Sequence, residues 1–155
     1  MILCYNAREV NKMKLLFVCT GNTCRSPMAQ AIAEKLLSEK GFSVQCDSAG
    51  IYGIPGQSLS KNSEKALENL FGIRGFSHAA KPLTGASLRE ADLVITMTED
   101  HKTLIRQKFG ISDHVITLPN PVGDPYGGDL AIYEACARQI AEGIESLVEE
   151  GIIRD

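Results

Sequence analysis

The chain has 155 residues, 44% hydrophobic and 23% charged, and its 16 Lys and Arg against 19 Asp and Glu give a formal net charge of −3. That composition suits one soluble globular domain, long enough to bury about two-thirds of its unfolded surface without disulfide staples. The slightly acidic balance gives no general attraction to nucleic acid or to an anionic membrane surface. Five cysteines, an odd count, follow an opening MILCYNAREVNK that is too short and too polar after Tyr5 for a secretory signal or a membrane span. A reducing cytoplasm is the compartment these features point to. Residues 1–12 carry no functional motif and read as an extension, from an upstream start codon or a loose tail, to a single domain over residues 13–155.

Met13 to Cys19 is a short continuous apolar run, as expected of a strand buried on both faces of a parallel sheet. From Pro27 to Glu39 the apolar positions Met28, Ile32, Leu36 and Leu37 recur at helical spacing, with Ser26 suited to the N-cap, Pro27 to the first helical position and Gly41 to the stop. Phe42 to Cys46 alternates and predicts a second strand, ending at Asp47-Ser48-Ala49-Gly50. A Gly/Pro loop over Ile51–Leu59 precedes a helix from Ser60 to Leu70 stopped by Gly72, and Thr84 caps a short helix reaching Glu90. A third strand over Asp92–Met97, a helix from Glu99 to Phe109 stopped by Gly110, and a fourth strand over His114–Leu118 follow. Pro119 to Gly128 is a loop of three prolines and three glycines. The last helix, Leu130 to about Glu149, carries Ile132, Cys136, Ile140, Ile144, Leu147 and Val148 as a core-facing stripe. Strands alternating with helices predict a three-layer α/β/α fold with an open, four-stranded parallel sheet. In such sheets the functional crevice lies at the C-terminal ends of the strands, where Cys19, Ser48 and the Pro119–Gly128 loop all fall.

The stretch between the first strand and the first helix is the one rich in chemistry. It reads Val18-Cys19-Thr20-Gly21-Asn22-Thr23-Cys24-Arg25-Ser26-Pro27. Loop amides and the positive end of a helix macrodipole converge there on one spot, which makes an anion site. A thiol among such donors is favoured as thiolate and is nucleophilic at neutral pH. Arg25, six positions after Cys19, can grip phosphate oxygens with a bidentate fork. Asn22 suits a left-handed backbone position inside the loop. The same segment admits plainer readings: a turn beside an isolated Cys and Arg, or half of a zinc site made by Cys19 and Cys24. Cys4, Cys46 and Cys136 are scattered and form no second close pair to complete such a site. Neither G-x-G-x-x-G nor G-x-x-x-x-G-K-[ST] occurs, so no nucleotide motif competes.

Cys19 to Ser26, C-T-G-N-T-C-R-S, resembles the active-site loop of the low-molecular-weight protein tyrosine phosphatase family, and the resemblance runs from about Met13 to the C-terminus. It implies phosphate-ester chemistry through a phosphocysteine on Cys19, with Arg25 holding the phosphoryl group and Asp124, in Gly-Asp-Pro-Tyr-Gly-Gly, as general acid. To serve, Asp124 must carry its proton in the complex, which a nearby phosphate dianion and the Tyr126 ring favour. Thr20, Gly21, Asn22, Thr23, Cys24 and Ser26 would line the phosphate site, Ser26 donating to the Cys19 sulfur, and Tyr126 would meet the substrate. Ser48 and His78 would brace Asn22. His101 and His114, without companions, are left structural. Cys24 packs as a small residue or resolves an oxidised Cys19 as a disulfide. The resemblance implies no metal and no cofactor.

Thr23 bears on the substrate. Tyrosine-directed members of the family typically carry a branched aliphatic there, whereas C-T-G-N-T-C-R-S looks like the bacterial protein arginine phosphatases. A threonine makes the wall smaller and more polar than isoleucine, suiting a guanidinium with its N–H donors better than a phenol ring. Tyr126 points the other way, because arginine-directed members commonly have Phe there. The expected substrate is thus a phosphorylated protein, phosphoarginine favoured and phosphotyrosine the alternative, handled by a monomer. An arsenate reductase of this fold would need a relay of further cysteines mid-chain, and none lies between Cys46 and Cys136. A non-catalytic phosphate-binding module would have no use for both Cys19 and Asp124.

Overall fold

The computed structural model describes residues 12–155; Cys4 and the extension expected over residues 1–12, except Lys12, lie outside the described residues. Four strands, β1 (Lys14–Cys19), β2 (Gln45–Gly50), β3 (Leu93–Thr96) and β4 (Val115–Thr117), form one parallel sheet in the order β2-β1-β3-β4. Helices α1 (Arg25–Glu39), α2 (Lys61–Phe71), α3 (Gly85–Glu90), α4 (Glu99–Phe109) and α5 (Leu130–Glu149) alternate with them. The three-layer parallel α/β architecture expected from the pattern is the one observed.

Alternation along the strands separates two cores. Leu15, Phe17 and Cys19 of β1 join Leu93 and Ile95 of β3 in one cluster, with Met28 and Ile32 of α1 and Ile140 and Ile144 of α5. Leu16, Val18 and Val94 face the other way, against Leu88 of α3 and Ile105 of α4. β1 is central, flanked by β2 on one side and β3 on the other, so the chain after β1 leaves at the point where strand order reverses. Crevices open at such switch points, beyond the carboxyl ends of the strands.

Three local predictions are corrected. The second strand is Gln45–Gly50, not Phe42–Cys46, because Phe42 is used to end α1. Gly41 takes a left-handed φ of 78°, Gly41 N–H donates to Ser38 O at 3.0 Å and Phe42 N–H to Leu37 O at 2.9 Å, the paired bonds that close a helix on a glycine. Ser48 and Gly50 therefore lie within the strand, opposite Phe17 and Cys19 of β1. Secondly, α1 starts at Arg25 with Cys24 at the N-cap and no side-chain cap. Pro27 falls third in the helix, where its missing N–H still has no intrahelical partner to lose. Thirdly, Ile132 is 49% exposed, and Tyr133 takes the buried place on α5. Asp129 caps this helix at Ile132 N, so Ile132 sits in its first turn over Gly128 rather than over the sheet. The cap Thr84 and the stops Gly72 and Gly110 fall where expected, and Ser60, read as the first residue of its helix, is the N-cap of α2. His114 is structural, tying β4 to α3 through an Nε2 contact of 2.6 Å with Leu88 O.

Gly50 sets how close β2 comes to the loop after β1. A Cβ there would stand 2.7 Å from Thr20 O and 2.8 Å from both Asn22 N and Gly21 C. These are backbone atoms that cannot swing aside. Gly50→Ala is expected to lower unfolding stability in urea by about 1–3 kcal/mol and to weaken phosphate binding by the folded fraction, because relief of the clash must displace the loop.

Candidate active site

The carbonyl oxygens of the loop after β1 are turned outward and partnered from outside. Cys19 O accepts from Ile51 N (2.9 Å), Thr20 O from Tyr52 N (2.9 Å) and Thr23 O from Ser60 N (2.9 Å). Asn22 O is 2.7 Å from His78 Nε2, which must be the protonated nitrogen because a carbonyl can only accept. In a trans peptide the N–H of the next residue points opposite to the carbonyl. The amides of Thr20, Gly21, Thr23 and Cys24 therefore face the concave side, as an anion nest requires.

Asn22 makes that turn possible. Its φ of 59° is the one positive value outside glycine among the described residues, and it is fully buried. Nδ2 donates to Ser26 Oγ (2.8 Å) and Ser48 Oγ (3.0 Å), and Oδ1 accepts from Lys81 N (3.1 Å). Ser48 Oγ in turn donates to Gln30 Oε1 at 2.7 Å, and His78 stacks on Phe76 with ring centroids 6.0 Å apart. Gln30 and the Lys81 amide escaped the sequence reading; both support groups already in it, and neither belongs to a motif.

Cys19 is 3% exposed at the base of the pocket, its Sγ 2.9 Å from Ser26 Oγ. Asn22 already donates into Ser26 Oγ, and the alternative acceptor, Ala49 O, is farther at 3.4 Å. The hydroxyl proton of Ser26 is thereby aimed at the sulfur. Ser26 is the second residue of α1 and does not cap it.

Arg25 is 4% exposed. Its Nη1 donates to Val122 O (3.0 Å) and its Nη2 to Thr20 Oγ1 (3.3 Å), with Asp124 Oδ2 at 4.0 Å. The Pro119–Gly128 loop is anchored just past the end of β3 by Val122 N donating to Met97 O (2.8 Å), and Asp124 Oδ1 accepts from Tyr126 N (3.0 Å). Asp124 nonetheless keeps an exposed side chain, and Tyr126 is 84% exposed. Together Cys19, Thr20, Gly21, Thr23, Cys24 and Arg25 with Asp124 and Tyr126 enclose a cavity of about 160 Å³. Ser26, Asn22, Ser48 and His78 stand behind the loop rather than in the cavity. Cys24 Sγ lies 3.7 Å from Tyr133 Oη, whose phenol is pushed up to about 12 by burial and by the neighbouring thiol.

Comparison with known proteins places this geometry. The model of the family described as low molecular weight phosphotyrosine protein phosphatase matches residues 14–154. The chain belongs to that family. Membership makes it a cysteine-dependent protein phosphatase, a hydrolase. It is 37% identical over 147 residues to a protein-arginine-phosphatase of Bacillus subtilis, covering 89% of this chain and 96% of that one. It is 38% identical over 131 residues to the low molecular weight protein-tyrosine-phosphatase PtpB of Staphylococcus aureus, covering 78% of this chain and 86% of that one. A solved YwlE arginine phosphatase, a cysteine-to-serine mutant with a phosphorylated active-site serine, superposes with a TM-score of 0.84 at 35% identity, covering 89% of this chain and 95% of that one. No group of three or more His, Cys, Asp or Glu side chains among the described residues is placed to hold a metal ion. None of the described helices is long and apolar enough to cross a membrane.

One contact of this phosphatase was not anticipated: His101, left structural in the sequence reading, reaches the loop, with Nε2 2.9 Å from Thr20 Oγ1. Burial and the nearby Arg25 guanidinium lower its pKa to about 4, against the opposing pull of Asp100 and Asp124. A group whose folded pKa lies below its unfolded value of about 6.5 binds fewer protons folded than unfolded between the two. Stability therefore falls as pH drops from about 6.5 towards 4. Melting temperatures across that window should decline for the unmutated protein and decline less for His101→Gln, which cannot titrate.

Proposed function

We propose that the protein hydrolyses phosphorylated protein side chains through a phosphocysteine, with phosphoarginine the favoured substrate. Cys19 thiolate, hydrogen-bonded by Ser26, attacks phosphorus in line with the leaving group. Arg25 and the inward amides of Thr20, Gly21, Thr23 and Cys24 hold the equatorial oxygens as charge gathers on them. Asp124 gives its proton to the leaving nitrogen or oxygen as that bond to phosphorus breaks. Its carboxylate then takes a proton from water as the water attacks the phosphocysteine, the S–P bond breaks, and inorganic phosphate and the Cys19 thiolate are released. No metal or cofactor enters this sequence. The protein would act on phosphoproteins in the cytoplasm, as a monomer whose one catalytic domain spans residues 13–155.

Thr23 carries the choice of leaving group. It lines the cavity beside Tyr126, and its hydroxyl sits 3.7 Å from Cys24 Sγ, so this wall is polar and shallow where an isoleucine would extend an apolar one. Likeness to the Bacillus subtilis arginine phosphatase over 89% of the chain supports the same reading. Phosphotyrosine is the second reading, favoured by Tyr126 and by the likeness to PtpB. Assays on matched phosphoarginine and phosphotyrosine peptides decide between them. The unmutated enzyme should prefer phosphoarginine, and Thr23→Ile should move the ratio of kcat/KM towards phosphotyrosine by about tenfold to a hundredfold. A preference for phosphotyrosine that Thr23→Ile leaves unchanged would sink the arginine reading. Separately, Cys19→Ser should abolish turnover, and Asp124→Asn should lower kcat by about 10²- to 10⁴-fold in stopped assays of phosphate release.

A further inference from the structure

His101 lies 81 residues from Thr20 in sequence, is 4% exposed, and is unused by the chemistry above. It sits in the first turn of α4. Thr98, the N-cap of that helix, accepts from His101 N–H at 3.4 Å, and its Oγ1 is 3.0 Å from His101 Nδ1. The other ring nitrogen, Nε2, is 2.9 Å from Thr20 Oγ1, the same hydroxyl that accepts from Arg25 Nη2 at 3.3 Å.

A hydroxyl has one proton and two acceptor sites, and a guanidinium only donates. Arg25 therefore occupies one acceptor site of Thr20. With Thr98 O–H donating to Nδ1, the Nε2–H fills the second site and leaves the Thr20 proton for the cavity that Thr20 lines. With the opposite tautomer, Nε2 accepts a hydrogen bond from Thr20 O–H and Nδ1–H donates to Thr98 Oγ1. Both arrangements keep the ring neutral and hold the Thr20 hydroxyl between His101 and Arg25. Of the groups steadying the guanidinium, Val122 accepts through its O and is held by its own N–H to Met97 O just past β3, while Asp124 stands 4.0 Å away with a 57% exposed side chain. Thr20 is the remaining close anchor, and on its own a threonine can place that oxygen in more than one χ1 rotamer.

We propose that His101 is a positioning residue of the phosphate site: by clamping Thr20 Oγ1 from behind, it fixes the orientation in which Arg25 presents its fork to the phosphoryl group. This rests on the loop's binding a phosphoryl group. The imidazole never meets the substrate, so its removal should weaken oxyanion affinity rather than delete a chemical step.

Two amide replacements separate positioning from bulk. The nitrogen of Gln at 101 reaches the place of Nε2, whereas that of Asn reaches only the place of Nδ1. With p-nitrophenyl phosphate as substrate and inorganic phosphate as competitive inhibitor, His101→Asn should lower kcat/KM about tenfold and raise Ki for phosphate by a similar factor. His101→Gln should stay within about threefold of the unmutated enzyme on both measures. Thr20→Val, which leaves the buried ring in place, should reproduce the Asn loss, and adding His101→Asn to it should bring no further loss. The proposal is overturned if the Asn and Gln variants lose activity equally and in step with their melting temperatures. It is equally overturned if Ki for phosphate does not move in His101→Asn, or if the His101 and Thr20 losses multiply. An unmutated protein without turnover would instead indict the reading of the loop itself.

Discussion

A loop that holds an anion has to turn its carbonyl oxygens away from it, and here that constraint organises distant parts of the chain. Donors come from the residues after β2, from His78 and from the N-cap of α2. Each bond contributes about 1 kcal/mol net, but a carbonyl left buried without a partner costs about 1–3 kcal/mol, so the outward arrangement holds only while every donor is in place. Asn22 adds a left-handed backbone worth about 1–3 kcal/mol of strain in a non-glycine residue. It is held by a side chain whose two amide hydrogens and whose oxygen are all bonded. The loop is thus stable as a consequence of its surroundings and would not keep this shape as an isolated segment.

The same surroundings explain choices that look unfavourable locally. A serine at the start of a helix ordinarily stabilises it by about 1 kcal/mol as N-cap. Ser26, one position inside the helix, does not fill that role: its oxygen accepts from Asn22 Nδ2 and its own hydroxyl proton faces the Cys19 sulfur. The helix still begins there because Arg25, Ser26 and Pro27 are buried against the loop and the sheet, and tertiary packing outweighs a missing cap. Gly50 is a similar concession: a glycine in a strand interior weakens it, yet only a residue without a Cβ lets β2 pair with Cys19 while the loop folds back over it.

These concessions mark the limits of what the sequence discloses. The fold was legible because apolar runs and helical spacings are local and strong, and Ser60, Thr84, Gly72 and Gly110 bound their helices where residue type demands. The residues that line the cavity were legible where one motif held them together, as with Cys19, Thr23 and Arg25 or Asp124 and Tyr126. The second strand was misplaced because Phe42 suits a strand by alternation while its N–H serves the end of α1, a competition decided by hydrogen bonds and not by pattern. Ile132 has the right residue type and the right spacing for the core, but the cap at Asp129 rotates the first turn of α5 over the acid loop. His101 was set aside since its partner, Thr20, lies 81 residues away, and nothing local to either residue announces the contact.

The site also divides by depth. Cys19 and Arg25, and the Asn22 and Ser26 side chains behind them, are each under 5% exposed, so the proposed phosphoryl chemistry would run where water is scarce and electrostatic interactions are strongest. Asp124 and Tyr126 are exposed, on a Gly/Pro loop pinned at Val122, and Thr23 is only half-buried. A buried cradle requires its partners to change together, since any one substitution strands a polar group. An exposed rim can change one side chain at a time without unfolding its support. Changes of leaving group would fall on Thr23 and Tyr126 at this rim, whereas Asp124, though also exposed, would serve the proton transfers proposed for both steps. That separation gives a physical reason why arginine- and tyrosine-directed phosphatases can share one fold.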